Sequence, residues 1–94
     1  MPPEVGPRGP EFVALGRALR EARARRGLSQ EELGFRSGVH RNYVGAIERG
    51  EINPTFRLLL KLGNGLKLPL SELVMLHEAQ YAELYGDTGS TIPG

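Results

Sequence analysis

The stretch from residue 27 to residue 54 constrains the fold of this 94-residue chain more than any other part of it. It contains two short predicted helices, at about residues 29–37 and 40–49, in the sequence GLSQEELGFRSGVHRNYVGAIERGEINP. Ser29 and Glu32 have the spacing of a capping box, which marks a helix start, and Gly38 suits the turn between the two helices. Because helices this short are marginal alone, we expect them to pack against the rest of the chain.

The segments on both sides of this stretch also show a helical spacing of apolar residues, with no strand-like alternation. They predict further helices at about residues 11–26, 56–66 and 69–85. Four of the first ten residues are prolines, and residues 86–94 are rich in turn-forming types, so an arm at 1–10 and a tail at 86–94 are expected to be flexible. The predicted fold is one all-α domain of five helices over residues 11–85.

Composition narrows the possible chemistry. The chain has no cysteine, which excludes disulfides, thiolate zinc sites and cysteine nucleophiles. Its two histidines, His40 and His77, are far apart in the sequence and show no metal-ligand pattern. No phosphate-binding glycine loop and no Ser/His/acid set is recognisable. We therefore expect neither an enzyme nor a metal or cofactor site. With no secretory signal and no apolar run long enough for a membrane, a cytoplasmic location is expected.

The net charge of +1 hides an uneven distribution. Residues 1–50 contain nine arginines and six acidic residues, a balance of +3, whereas residues 51–94 contain three basic and five acidic residues, a balance of −2. Arginine is the basic side chain better suited to two-point contacts with phosphate and guanine. The asymmetry fits nucleic-acid binding by the N-terminal half, and it also fits an ordinary arginine-rich surface.

Two short helices joined by a glycine-containing turn form the layout of a helix-turn-helix, whose second helix can enter the major groove of DNA. Val44 and Ile47 are expected in the core, while the outward positions of that helix are small or polar. The chain closely resembles the xenobiotic-response-element (XRE), or Cro/phage-repressor-like, helix-turn-helix family in the pieces LSQEEL at 28–33, SGV at 37–39, IERG at 47–50 and PT at 54–55. The resemblance covers about residues 12–75 and implies a lambda-repressor-like fold.

Within that family the chain is most similar to compact single-domain regulators of bacterial or phage type, including controller proteins of restriction–modification systems. The resemblance implies contacts to DNA bases from the start and middle of the second helix, at Arg41, Asn42, Gly45 and Ala46. It implies contacts to the DNA backbone from a second set of positions, Gln30, His40, Tyr43, Asn53 and Arg57. It also implies a buried ion pair between Arg23 and Glu48 that joins helix 1 to helix 3.

Helix 5 carries Tyr81 and Tyr85 on one face, with Leu84 beside them. Two interpretations are open: packing of both rings against helix 1, or a homodimer interface, where aromatic side chains are enriched. We expect the dimer, with a contact surface of Leu73, His77, Tyr81, Leu84 and Tyr85. One short helix contacts only a few base pairs, so the expected function is that of a homodimer that binds a near-palindromic operator in double-stranded DNA and regulates transcription.

Two other functions fit the same predicted fold. The chain could be the antitoxin of a toxin–antitoxin pair, with the arm or the tail folding onto the toxin; co-purification of a small partner would support this. It could also be a protein-interaction module without DNA binding, with a protein such as one of the transcription machinery as its partner. Near-neutral net charge favours the module, as does Glu51, whose negative charge stands near the expected path of the DNA backbone. If the protein showed no salt-dependent affinity for DNA, the interaction-module function would be favoured.

Overall fold

The computed structural model describes residues 9–86, which form α-helices and short connections. The helices are α1 (Pro10–Arg25), α2 (Gln30–Ser37), α3 (Arg41–Glu48), α4 (Phe56–Leu66) and α5 (Leu70–Tyr85). For this part of the chain the predicted all-α fold of five helices is confirmed. None of these helices is long and apolar enough to cross a membrane. Most of the predicted arm at 1–10 and tail at 86–94 lies outside the described residues, although α1 already begins at Pro10, a residue suited to a first helical turn.

Local sequence determines both ends of α2. Ser29 Oγ accepts a hydrogen bond from the Glu32 backbone N–H at 3.0 Å, and Glu32 Oε1 accepts one from the Ser29 N–H at 2.8 Å, so the predicted capping box is confirmed. The helix ends at Gly38, whose φ of 70° is a left-handed conformation that glycine adopts at little cost. A Cβ on Gly34 would overlap the carbonyl oxygen of Val39, so this glycine permits the tight turn into α3.

One core lies between the helices. Its largest fully buried side chains come from all five helices: Leu19, Leu33, Val44, Ile47, Leu62, Leu66 and Leu73. α1 packs against α3 and α5, and α2 packs against α3 and α4. Burial of these aliphatic side chains provides the tertiary support that α2 and α3, with eight residues each, need in order to form.

Two helical glycines mark close approaches that position the helix-turn-helix. A Cβ on Gly16 would lie 2.5 Å from the carbonyl oxygens of both Ile47 and Glu48, so α1 runs directly against the end of α3. A Cβ on Gly65 would overlap the Ser37 hydroxyl, so α4 runs directly against the end of α2. The C-terminal ends of both short helices are therefore held from behind by longer ones.

Candidate nucleic-acid interface

The start of α3 is exposed, whereas the rest of the helix is held in the protein. Val44 and Ile47 are 0% and 1% exposed. Arg41 and Asn42, in the first turn, are exposed side chains. His40 precedes them and caps the helix, because its Nδ1 accepts a hydrogen bond from the Asn42 backbone N–H at 3.0 Å. The cap sets the start of α3, so both exposed residues lie in its first turn.

The Arg41 guanidinium is held by a carboxylate on the neighbouring helix. Its Nη1 donates to Glu31 Oε2 at 2.7 Å. Both side chains are largely exposed, at 61% and 71%. An arginine side chain has five N–H donors, so a contact through one nitrogen leaves others for a two-point contact with a base.

The middle of α3 differs from the predicted base-contacting surface. Ala46 is 0% exposed, and its carbonyl accepts a hydrogen bond from the Glu51 N–H at 3.0 Å where the chain turns after α3. The prediction that its methyl group faces a base is therefore wrong. Gly45 is also buried, under long side chains: a Cβ there would lie 2.9 Å from Arg49 Nη1 and 3.5 Å from Gln30 Oε1. A base can reach Gly45 only after those side chains move.

Arg49 and Glu51 form a two-point ion pair just after α3. Arg49 Nε donates to Glu51 Oε2 at 2.8 Å and Nη2 donates to Oε1 at 3.2 Å. The hydrogen bonds to this carboxylate raise the pKa of Arg49 above its ordinary value. The negative charge of Glu51 is thus compensated within the loop.

A buried carboxylate ties three helices together behind this surface. The Glu48 side chain is 0% exposed and accepts hydrogen bonds from Arg23 Nε at 2.7 Å, Arg23 Nη2 at 3.1 Å and Gln30 Nε2 at 2.9 Å. The side-chain hydrogen bond to Glu48 raises the pKa of Arg23. Gln30, the first residue of α2, thus turns its amide nitrogen inward toward the end of α3. Its predicted contact with the DNA backbone stays a prediction.

The other predicted backbone-contacting residues lie at the edges of the helix-turn-helix. Tyr43 is half-buried and packs against the core. Asn53, in the connection after α3, and Arg57, in the first turn of α4, are both exposed. These positions are accessible to a phosphate, and their contacts with DNA also stay predictions.

Two residues of the predicted dimer surface belong to the core of the single chain. Leu73 is 1% exposed and Tyr81 is 8% exposed, because α5 packs along α1, so their assignment to a dimer contact is corrected. His77 is half-buried and its Nε2 lies 3.2 Å from the Glu11 carbonyl oxygen on α1. Leu84 is partly exposed, and Tyr85, whose ring packs against that of Tyr81, is exposed at the end of α5.

Sequence reasoning missed two residues of this surface, Glu31 and Arg49. Arg49 follows Gly45 by four positions, and residues at that spacing share a face at the end of a helix. This spacing could have predicted that the Arg49 guanidinium lies over Gly45. Glu31 and Arg41 stand ten positions apart, and their contact depends on the geometry of the turn between two helices, which no spacing rule supplies.

Comparison with known proteins finds relatives among helix-turn-helix proteins. A model of the helix-turn-helix family matches residues 19–73. SlrR, a transcriptional regulator of Bacillus subtilis, is 36% identical over 73 residues, which are 77% of this chain and 48% of SlrR. This chain therefore spans about half the length of that relative. The control protein C.SmaI of Serratia marcescens is 38% identical over 60 residues, which are 64% of this chain and 71% of that protein.

A solved structure shows the same architecture. The restriction-modification controller protein C.AhdI from Aeromonas hydrophila has a sequence 47% identical to this chain in the matched region. Its crystal structure matches this fold with a TM-score of 0.65, over 66% of this chain and 94% of that one. The family match runs from the middle of α1 into α5 and includes the whole of α2 and α3. The chain belongs to the XRE-type helix-turn-helix family.

Proposed function

We propose that this protein is a cytoplasmic, sequence-specific DNA-binding regulator of transcription that acts as a homodimer on a near-palindromic operator. The observation that carries the proposal is the exposed start of α3, where Arg41 and Asn42 stand free of the core. Arginine can make two hydrogen bonds to guanine O6 and N7, and asparagine can make two to adenine N6 and N7. The relatives described above are a transcriptional regulator and control proteins by name.

Contacts to the DNA backbone would provide much of the affinity. Gln30 is the first residue of α2, where the positive end of the helix dipole favours a phosphate and the carboxylates of Glu31 and Glu32 offset part of that attraction. On the other side of α3, Arg57 offers a positive charge and Asn53 a hydrogen-bonding amide. Binding through such contacts releases counterions, so the affinity should fall as the salt concentration rises.

The dimer is proposed because α3 is short. A two-fold dimer places two such helices in successive major grooves, about one helical turn of DNA apart. We assign the contact to an α4–α5 surface made of Phe56, Leu60 and Val74, which are 66%, 45% and 45% exposed. Phe56 and Leu60 share a face of α4, and Val74 lines the groove between α1, α4 and α5. A contiguous patch of exposed apolar side chains marks a protein contact, and we propose that these three side chains form one. We propose that Leu84 and Tyr85 continue this contact along α5.

The interaction-module alternative depended in part on Glu51. Since the Glu51 carboxylate is bound by Arg49, it does not present an uncompensated charge to a nearby phosphate. No contact among residues 9–86 favours the antitoxin alternative specifically. DNA binding is therefore the function that the described surface supports best.

The proposal is tested by selecting bound sequences from a random DNA pool at about 100 mM salt and sizing the complex. We expect an enriched near-palindrome bound by two chains. Arg41→Ala should weaken binding by about 1–3 kcal/mol and relax base preference at one position, whereas Arg57→Ala should weaken binding to all sequences equally. Absence of enrichment, with weak binding that disappears as salt rises, would overturn the proposal, as would an Arg41→Ala variant with unchanged preference.

A further inference from the structure

We propose that Glu31 is a positioning residue that determines how strictly Arg41 discriminates guanine from other bases. The inference rests on the proposed function, in which Arg41 reads a base. Glu31 lies on α2 and does not itself need to contact a base. Its effect would pass through the guanidinium that it holds.

The contact joins the two helices across the turn. Glu31 lies in the first turn of α2 and Arg41 is the first residue of α3. The Glu31 carboxylate accepts a hydrogen bond from Arg41 Nη1 at 2.7 Å through one oxygen, Oε2. The other guanidinium nitrogens, Nε and Nη2, are not used by this contact, so Glu31 can hold one edge of the group while another edge meets the O6 and N7 atoms of guanine.

The first consequence is preorganisation. A long arginine side chain that is exposed samples many rotamers, and fixing it on binding costs conformational entropy. The carboxylate restricts the Arg41 side chain before DNA arrives. Contacts that demand one orientation of the guanidinium, such as a two-point contact with guanine, gain more from this restriction than contacts that accept many orientations.

The second consequence is discrimination against the wrong contact. A free arginine next to DNA binds any phosphate, because phosphates carry full negative charges at every sequence. With Glu31 within hydrogen-bonding distance of Arg41, a phosphate on the same guanidinium would stand close to a second negative charge. The guanine edge has no net charge and is repelled less. Glu31 therefore favours base contact by penalising the alternative.

The same pair is not needed for the fold. Both side chains are mostly exposed, and exposed ion pairs contribute little to stability. The cap of α2 comes from Ser29 and Glu32. Glu32 therefore provides a matched control: Glu32→Gln removes the same charge one residue away, and glutamine can also serve at this position of a capping box.

The experiment measures dissociation constants of the full chain for three DNAs at fixed salt. The first is the selected operator, and the third is an unrelated duplex. The second is the operator in which one guanine is replaced, namely the guanine for which Arg41→Ala loses its preference. The proteins are the wild type, Glu31→Gln, Glu32→Gln, Arg41→Ala and the double variant Glu31→Gln/Arg41→Ala. For Glu31→Gln we expect tighter binding to the unrelated duplex and about a tenfold loss of discrimination at the replaced guanine, with other positions unchanged.

Glu32→Gln should tighten binding to all three DNAs without altering discrimination, and Glu31→Gln should have no effect on discrimination when Arg41 is absent. The inference is overturned if Glu31→Gln behaves like Glu32→Gln, changing all three affinities by one common factor. Failure of the proposed function would look different. In that case the wild type would enrich no sequence, or Arg41→Ala would leave the preference for guanine intact, before Glu31 is changed at all.

Discussion

Arg23 on α1 binds Glu48 at the end of α3 through two parallel hydrogen bonds, from Nε to Oε2 at 2.7 Å and from Nη2 to Oε1 at 3.1 Å. The Glu48 side chain is completely buried. A carboxylate in that position is stable only while its partners remain. The pair therefore fixes α3, and with it the exposed Arg41, relative to α1.

Replacing Arg23 should cost much of the stability. Arg23→Ala leaves the Glu48 charge buried without its two-point partner, although the Gln30 amide still donates to it, and we expect a loss of about 3–5 kcal/mol in the free energy of unfolding. Urea unfolding followed by circular dichroism measures it. Arg20→Ala is the matched control, because Arg20 also lies near Glu48, at 3.7 Å, but is 56% exposed. A control that is as destabilised as Arg23→Ala would contradict this account.

Gly16→Ala and Gly45→Ala should have opposite effects on stability. A Cβ on Gly16 would lie 2.5 Å from two backbone carbonyl oxygens of α3, which cannot move without shifting that helix, so we expect a loss of about 1–3 kcal/mol. A Cβ on Gly45 meets the end of the flexible Arg49 side chain instead. Since alanine is the better helix former, Gly45→Ala should be neutral or up to about 1 kcal/mol more stable. Urea unfolding of the two variants measures both free energies of unfolding. Equal losses of stability in the two variants would contradict the prediction.

The sequence predicted the helices well because each has its own local signals. The apolar spacing, the capping box at Ser29 and Glu32, and the turn at Gly38 depend on neighbouring residues only. The exposure of a single side chain depends on what packs over it. Ala46 and Tyr81 are compatible with either side of their helices, and only the packing of the helices against one another determines that both are buried.

The capping box should make stability depend on pH. The hydrogen bond from the Ser29 backbone N–H lowers the pKa of Glu32 below its ordinary value of 4.5. Because the pKa is lower in the folded than in the unfolded chain, the stabilisation is present above the ordinary value and is lost as pH falls through the lowered one. We expect the wild type to exceed Glu32→Gln in stability by the largest amount at neutral pH, with the difference shrinking in acid. Urea unfolding across this pH range measures it; a difference independent of pH would contradict the prediction.

The α4–α5 surface should respond to charge at Val74 but not at the next residue. Val74 and Met75 are both exposed apolar side chains, yet Val74 lines the groove beside α4, whereas Met75 faces Arg25 and Arg26 of α1. Because Val74 is already exposed in the single chain, Val74→Asp should leave the fold intact. In a two-fold dimer the substitution would bury one unpaired charge in each half of an apolar contact. Sedimentation equilibrium of Val74→Asp should show a dimer dissociation constant raised by about tenfold or more. Met75→Asp is the control, and its dimer dissociation constant should equal that of the wild type. The surface is wrongly assigned if Met75→Asp raises this constant and Val74→Asp does not.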